Sequence, residues 1–269
     1  PFCYDKAGDF KNRIIYYETS RGCPFSCSYC LSSIDKCLRF RNLELVKKEL
    51  QFFIDHEVPQ VKFVDRTFNC NRQRAIDIWS YLVEHDNGIT NFHFEISSDL
   101  LGEEELELFA KMRPGLIQLE IGVQSTNGET VDAIHRHMDL IAGLPYENYE
   151  RFGCSFDDLY AHEPDQLQLG FLKVLKGTMM EEEVKKYSIL YRNQPPYEVL
   201  GTKWLSYDEI ILLKGVEELV ELYYNSGQYT LTLKYAVPFF ESPFRFYEMF
   251  SAWYRGKGYH KLNHNRFEK

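Results

Sequence analysis

A chain of 269 residues is long enough to bury a sizeable core, as one large α/β domain or one with an appendage. Its composition, 44% hydrophobic and 26% charged, is that of an ordinary globular protein, and its apolar runs fall far short of a membrane span. A net charge of −9 argues against broad nucleic-acid binding, which depends on neutralising phosphates. Seven cysteines, an odd number with three in one cluster, fit a reducing cytoplasm better than a disulfide scaffold, and no secretory leader is visible. A cytoplasmic protein without a membrane partner is expected.

Residues 1–12 read as a linker, and the first is proline, as expected of an excised domain or of a chain without an ordered start. Arg13–Glu18 is expected to be a strand, running straight into the cysteine-rich stretch Arg21–Cys30. Asn42 suits the cap of a helix through Glu57 that turns Val46, Leu50 and Phe53 to one face and ends before Pro59. A strand at Gln60–Asp65 follows, then a helix from Arg72 to His85 capped by Asn71, with Ile76, Trp79 and Val83 inward. Phe92–Ser97 is the next strand, Glu103–Met112 a helix stopped by Pro114-Gly115, and Leu116–Gly122 a strand. Glu129–His137 reads as helix, Asp139–Gly143 as strand, Tyr149–Ala161 as helix and Gln166–Leu172 as strand. Such alternation implies a parallel sheet with right-handed crossovers.

From Lys176 the pattern changes. Thr178–Tyr187 reads as a charged helix and Asn193–Tyr197 as an extended break. Ser206 and Glu209 form a capping box opening a helix to Asn225, and Ser242-Pro243 opens another through Trp253. The aromatics here, Tyr197, Trp204, Tyr223, Phe239, Phe240 and Trp253, are expected to pack as core rather than to line a pocket.

The chemistry centres on Cys23, Cys27 and Cys30, a CxxxCxxC spacing at the end of the first strand. Three thiolates this close cannot all pair as disulfides, but they can converge on one metal centre. A [4Fe–4S] cluster normally takes four thiolates, so three would leave one iron open. Cys3, Cys37, Cys70 and Cys154 are scattered and expected to be packing residues. A different reading is a non-catalytic zinc or iron–sulfur structural module, with His56 or Cys37 as fourth ligand of a zinc ion.

The three cysteines, with an aromatic Tyr29 before the last, resemble the signature of the radical S-adenosylmethionine (SAM) superfamily. Gly122-Val-Gln-Ser125 and Asp139-Leu-Ile-Ala-Gly-Leu-Pro145 resemble that family's GVQS and DLIxGLP strands. The resemblance implies an α/β fold with a partial (β/α)6 TIM-like barrel over residues 13–175 and a mostly helical C-terminal extension over 176–269. It implies a [4Fe–4S] cluster on the three cysteines, whose open iron binds SAM, and reductive cleavage of SAM to methionine and a 5′-deoxyadenosyl radical. Tyr29 would lie beside the adenine, Glu95 would contact the methionine amino end, and Asp65 would take a related SAM-binding position whose ligand the resemblance does not fix. Gln124 would contact the amino-acid and ribose groups, Arg136 the carboxylate and Asp139 the ribose hydroxyls. A small-molecule or peptide substrate and an electron donor such as flavodoxin or ferredoxin follow as partners.

The phrases Ile15-Tyr-Tyr-Glu-Thr-Ser-Arg-Gly-Cys23 and Gly143-Leu-Pro-Tyr-Glu147 look most like the B12-binding group of that family. Cobalamin, for methyl transfer or rearrangement, is expected of the parent protein through a domain absent from this chain. A second enzymatic reading is a cobalamin-independent oxidoreductase of the coproporphyrinogen-oxidising type. Two departures stand out. Val64-Asp65-Arg66-Thr67 replaces the Gly-Gly-Glu of many members, and only His137 and Met138 separate Arg136 from Asp139. Relatives place roughly two dozen residues there, and a parallel crossover needs about a dozen or more, so residues are expected to be absent at that point.

Overall fold

The structure, a computed structural model, describes residues 13–34, 37–127 and 140–261. Two compact units divide the chain, Pro1–Gly122 and Val123–Lys269.

In the first unit, strand β1 (Ile14–Tyr17) leads through the short β2 (Ser20–Arg21) into the cysteine loop, and β3 (Arg39–Phe40) returns antiparallel to β2. Helix α1 (Leu43–Asp55) starts where the Asn42 side chain accepts the Leu45 amide. Strand β4 (Gln60–Phe63) follows, then α2 (Arg72–Glu84), capped in the same way by Asn71 through the Arg74 amide. β5 (Asn91–Ile96), α3 (Glu103–Phe109) and β6 (Ile117–Ile121) complete the unit. The sheet order is β1-β4-β5-β6, all parallel.

Strand alternation gives this sheet two unlike faces. Tyr17, Val61, Phe63, Phe92, Phe94 and Ile96 enter one core with Val46, Leu50 and Phe53 of α1 and Trp79 and Leu82 of α2. Phe63 and Phe94 lie 4.3 Å apart between ring centroids, and Trp79 meets Phe94 edge-on. Burying such side chains, at about 1.5–3 kcal/mol each, is the main force holding helices to sheet. The opposite face carries Lys62, His93, Glu95 and Glu120, where a parallel sheet is ordinarily apolar on both sides.

In the second unit β7 (Leu140–Ala142) and β8 (Leu169–Phe171) pair in parallel on either side of α4 (Tyr149–Tyr160) in sequence. With four parallel strands in the first unit and two in the second, the α/β class is as expected. The expected helix at 178–187 is only α5 (Met179–Glu182), and turns follow it. So short a segment gains too little from helical hydrogen bonds to offset nucleation, and Ser188 already takes a left-handed φ of 51°. The expected break at 193–197 is the loop of a hairpin between β9 (Leu190–Tyr191) and β10 (Val199–Gly201).

Helix α6 (Tyr207–Leu219) opens on the expected Ser206–Glu209 capping box and continues as a π-helical turn to Tyr224. α7 (Thr230–Ala236) and α8 (Pro243–Gly256) complete the unit. α6 and α8 approach so closely at Gly215 that a Cβ there would collide with the Ser251 hydroxyl. The six aromatics expected in this core are partly or largely exposed, with Phe239 at 73% and Trp253 at 52%. Within α8 the buried aromatics are instead Phe244, Phe246, Tyr247 and Tyr254. Among the described residues no helix is long and apolar enough to cross a membrane.

Candidate functional site

The cysteine loop leaves β1 at the carboxyl end of its sheet, where α/β folds place ligands. Gly22, with φ of 91°, makes the turn into Cys23. Cys23 and Cys27 are buried and Cys30 is half-buried. The Cys30 amide donates to the Cys27 carbonyl at 3.1 Å, and the Cys30 sulfur accepts the Ser32 amide at 3.4 Å. The Cys27 thiol is pushed up to about 12, first by burial and then by the Cys30 and Cys23 thiols, while a hydrogen bond with Tyr29 works the other way. The Cys27 sulfur therefore feels both of the others. The Cys23 sulfur also lies 3.8 Å from the Thr67 hydroxyl.

Asp65 holds this loop from behind. It is buried, and it accepts the Thr19 amide at 2.9 Å, the Thr19 hydroxyl at 2.8 Å and the Ser20 hydroxyl at 2.5 Å. Its two oxygens thus face the entry to the cysteine loop. Glu95 is half-buried on the polar sheet face, directly opposite Glu120, and its carboxyl is raised by burial and then by Glu120. Lys62 Nζ and His93 Nε2 each stand 3.0 Å from the same Glu120 oxygen. Burial, then Lys62, lowers the basicity of His93.

In the second unit Gln124 is buried, and its amide oxygen has no hydrogen-bond partner among the described residues. Its backbone carbonyl accepts the Ile141 amide at 3.1 Å, tying the GVQS segment to β7. The next residue, Ser125, donates to Glu147, which ends the Gly143-Leu-Pro-Tyr-Glu147 phrase. Gly143 takes a φ of 92° and lies against the Val199 side chain. Arg136, Asp139, the expected 129–137 helix and the Met138–Asp139 junction lie outside the described residues, as do residues 1–12.

A family model described as the radical SAM superfamily matches residues 17–152, just over half of the chain. The chain belongs to the radical SAM superfamily. A second model, described as a protein of unknown function (DUF4080), matches residues 185–269 of this radical SAM chain. A relative named an uncharacterized methyltransferase, from Pyrococcus horikoshii, is 43% identical over 63 residues, covering 22% of this chain and 14% of the relative. The anaerobic magnesium-protoporphyrin IX monomethyl ester cyclase of Rubrivivax gelatinosus is 25% identical over 131 residues, covering 48% of this chain and 23% of the cyclase. The chain thus spans less than a quarter of either curated relative. The radical SAM methyltransferase TsrM of Kitasatospora setae, solved with cobalamin and a [4Fe–4S] cluster, matches with a TM-score of 0.59 at 14% identity. That match covers 70% of this chain and 41% of TsrM, and it speaks for the fold.

Radical SAM membership implies a [4Fe–4S] cluster and SAM, and the described residues suit them. Among these residues no three His, Cys, Asp or Glu gather around a single ion. A cube asks for something else, since it spreads its thiolates over separate irons. Cys27, a buried thiol raised by its enclosure and by the two neighbouring thiols, is the kind of group that bound iron would stabilise as a thiolate. The unpartnered Gln124 oxygen is likewise an acceptor awaiting a donor.

Several scattered-residue expectations need correction. Cys37 and Cys154 are exposed and Cys70 half-buried, whereas packing residues would be enclosed. Cys154 faces outward because α4 buries Tyr149, Phe152, Gly153 and Phe156 instead. His56 ends α1 on the surface, with Nδ1 2.7 Å from the Phe52 carbonyl. Sequence reasoning passed over Ser28, Lys62, His93, Glu120 and Glu147. Strand alternation from Glu95 would have placed His93 on its face, but the long-range partners carry no local signal.

Proposed function

We propose that this chain forms the catalytic barrel of a radical SAM enzyme, with a [4Fe–4S] cluster on Cys23, Cys27 and Cys30, and that the parent protein also uses cobalamin. The observation that carries the reading is the gathering of three free cysteines, Cys23 and Cys27 buried and Cys30 half-buried, in one loop at the carboxyl end of a strand. When bound, the cluster supplies one electron, delivered by a donor such as flavodoxin or ferredoxin, for reductive cleavage of SAM to methionine and a 5′-deoxyadenosyl radical.

The chain's own residues bind and orient. Glu95 faces the ammonium of SAM, and Arg136 offers a guanidinium fork to its carboxylate. Gln124 supplies the enclosed amide oxygen noted above and Asp139 meets the ribose hydroxyls. Tyr29 flanks the adenine, and Asp65 serves by fixing the loop. Residues 13–175 act as the barrel and 176–269 as its extension, a division supported by the separate family matches at 17–152 and 185–269. The name of the methyltransferase relative and the cobalamin-bound TsrM structure support methyl transfer as the reaction class, on a small-molecule or peptide substrate.

Anaerobic reconstitution with iron and sulfide tests the reading. A brown protein absorbing near ~400 nm that converts SAM to 5′-deoxyadenosine under reduction is the expected result. A colourless protein that binds zinc instead, or a brown one that leaves SAM intact, would overturn it.

A further inference from the structure

Ser28 sits inside the cysteine loop, between Cys27 and Tyr29, and is wholly buried. Its hydroxyl has no hydrogen-bond partner among the described residues and no surface open to water. Enclosed hydroxyls are rarely left so, and each exception calls for an explanation, a redox role among them. The loop's other polar groups show the contrast. Thr19 and Ser20 are engaged by Asp65, and the Ser32 amide by the Cys30 sulfur. What surrounds Ser28 in sequence is sulfur, with Cys27 beside it and Cys30 two positions on.

We propose that the Ser28 hydroxyl donates a hydrogen bond to a sulfur of the iron–sulfur cluster, a cluster sulfide or a ligating thiolate, and thereby raises the cluster's reduction potential. The inference rests on the functional reading above. Reduction adds negative charge that the sulfurs share, and a donor aimed at sulfur stabilises the reduced form more than the oxidised one. Hydrogen bonds to the sulfurs are among the determinants of cluster potentials. Losing such a donor leaves the ligands in place but makes the electron harder to accept. Ser28 is then a residue that touches the cofactor without ligating it.

The test is an EPR-monitored redox titration of the reconstituted protein, comparing wild type with Ser28→Ala and Ser28→Thr, with Ser28→Gly as a second hydroxyl-free variant should Ser28→Ala take up no iron. Iron and sulfide contents are expected to match the wild type. The midpoint should move to more negative potential when the hydroxyl is removed and return when Ser28→Thr restores one. An unchanged midpoint with the cluster intact overturns this inference alone. Wild-type protein that assembles no cluster overturns it together with the functional reading.

Discussion

Ser125 donates a 2.5 Å hydrogen bond to Glu147, joining the end of the GVQS segment to the end of the GLPYE turn inside the protein. Ser155 of α4 reaches the same Glu147 oxygen at 3.3 Å, while the other oxygen is buried without a hydrogen-bond partner among the described residues. Burial pushes this carboxyl up to about 7, against the opposing pull of both serines. Between the ordinary glutamate value and pH 7 the folded chain keeps a proton that the unfolded chain has lost. Stability contributed by this group is therefore full below about pH 4.5, declines as pH rises towards 7 and is level above it. Glu147→Gln should remove that decline, worth about 3 kcal/mol at most. Urea unfolding at pH 5 and pH 8 should show the wild type losing ground to the variant at the higher pH, whereas parallel profiles would count against a protonated Glu147.

Asp65 gives a second prediction. Asn in its place keeps one acceptor oxygen and turns an NH2 group towards the Thr19 and Ser20 donors, at a cost of about 1–3 kcal/mol. In the metal-free protein, Asp65→Asn should lower the unfolding temperature and speed iodoacetamide labelling of Cys23, Cys27 and Cys30. Labelling rates equal to wild type would mean that the loop does not depend on this anchor.

The cysteines divide into two groups. Cys23→Ala, Cys27→Ala and Cys30→Ala should each abolish iron uptake. Cys37→Ala and Cys154→Ala, at exposed positions, should leave iron content unchanged. Iron analysis after anaerobic reconstitution decides it, and dependence on Cys37 would point to a four-cysteine staple.

Two glycines in helices should respond in opposite directions. Gly215→Ala gains about 1 kcal/mol of helix propensity, but its Cβ would press on Ser251 and Arg255. Overpacking of this kind costs about 1–3 kcal/mol, so net destabilisation is expected. Gly256→Ala, at the end of α8 with open space around it, should instead stabilise by about 0.5 kcal/mol. Thermal unfolding of both variants gives the signs.

The legible parts of the chain were those written locally. Asn42, Asn71, Ser206 and Ser242 announce helix starts because a cap acts within one turn, and all four accept the expected backbone amide. The helix faces of Val46, Leu50 and Phe53 follow from periodicity alone. The β9–β10 hairpin escaped because strands of two and three residues are too short to show alternation. Phe239 and Trp253 misled because aromatic content says nothing about which face of a short helix finds a neighbour. Cys23, Cys27 and Cys30 declared themselves by spacing. Glu147 is engaged by Ser125 and Ser155 from other segments, a pairing that no local pattern of sequence announces.

The charged side of the first sheet also acts as a proofreading device for strand alignment. Side chains alternate strictly, so a one-residue slip of β5 would drive His93 and Glu95 into the layer of Phe63 and Trp79 and turn Phe92 and Phe94 outward. A sheet apolar on both sides could absorb such an error. This one makes every misregistered pairing expensive before any ligand arrives.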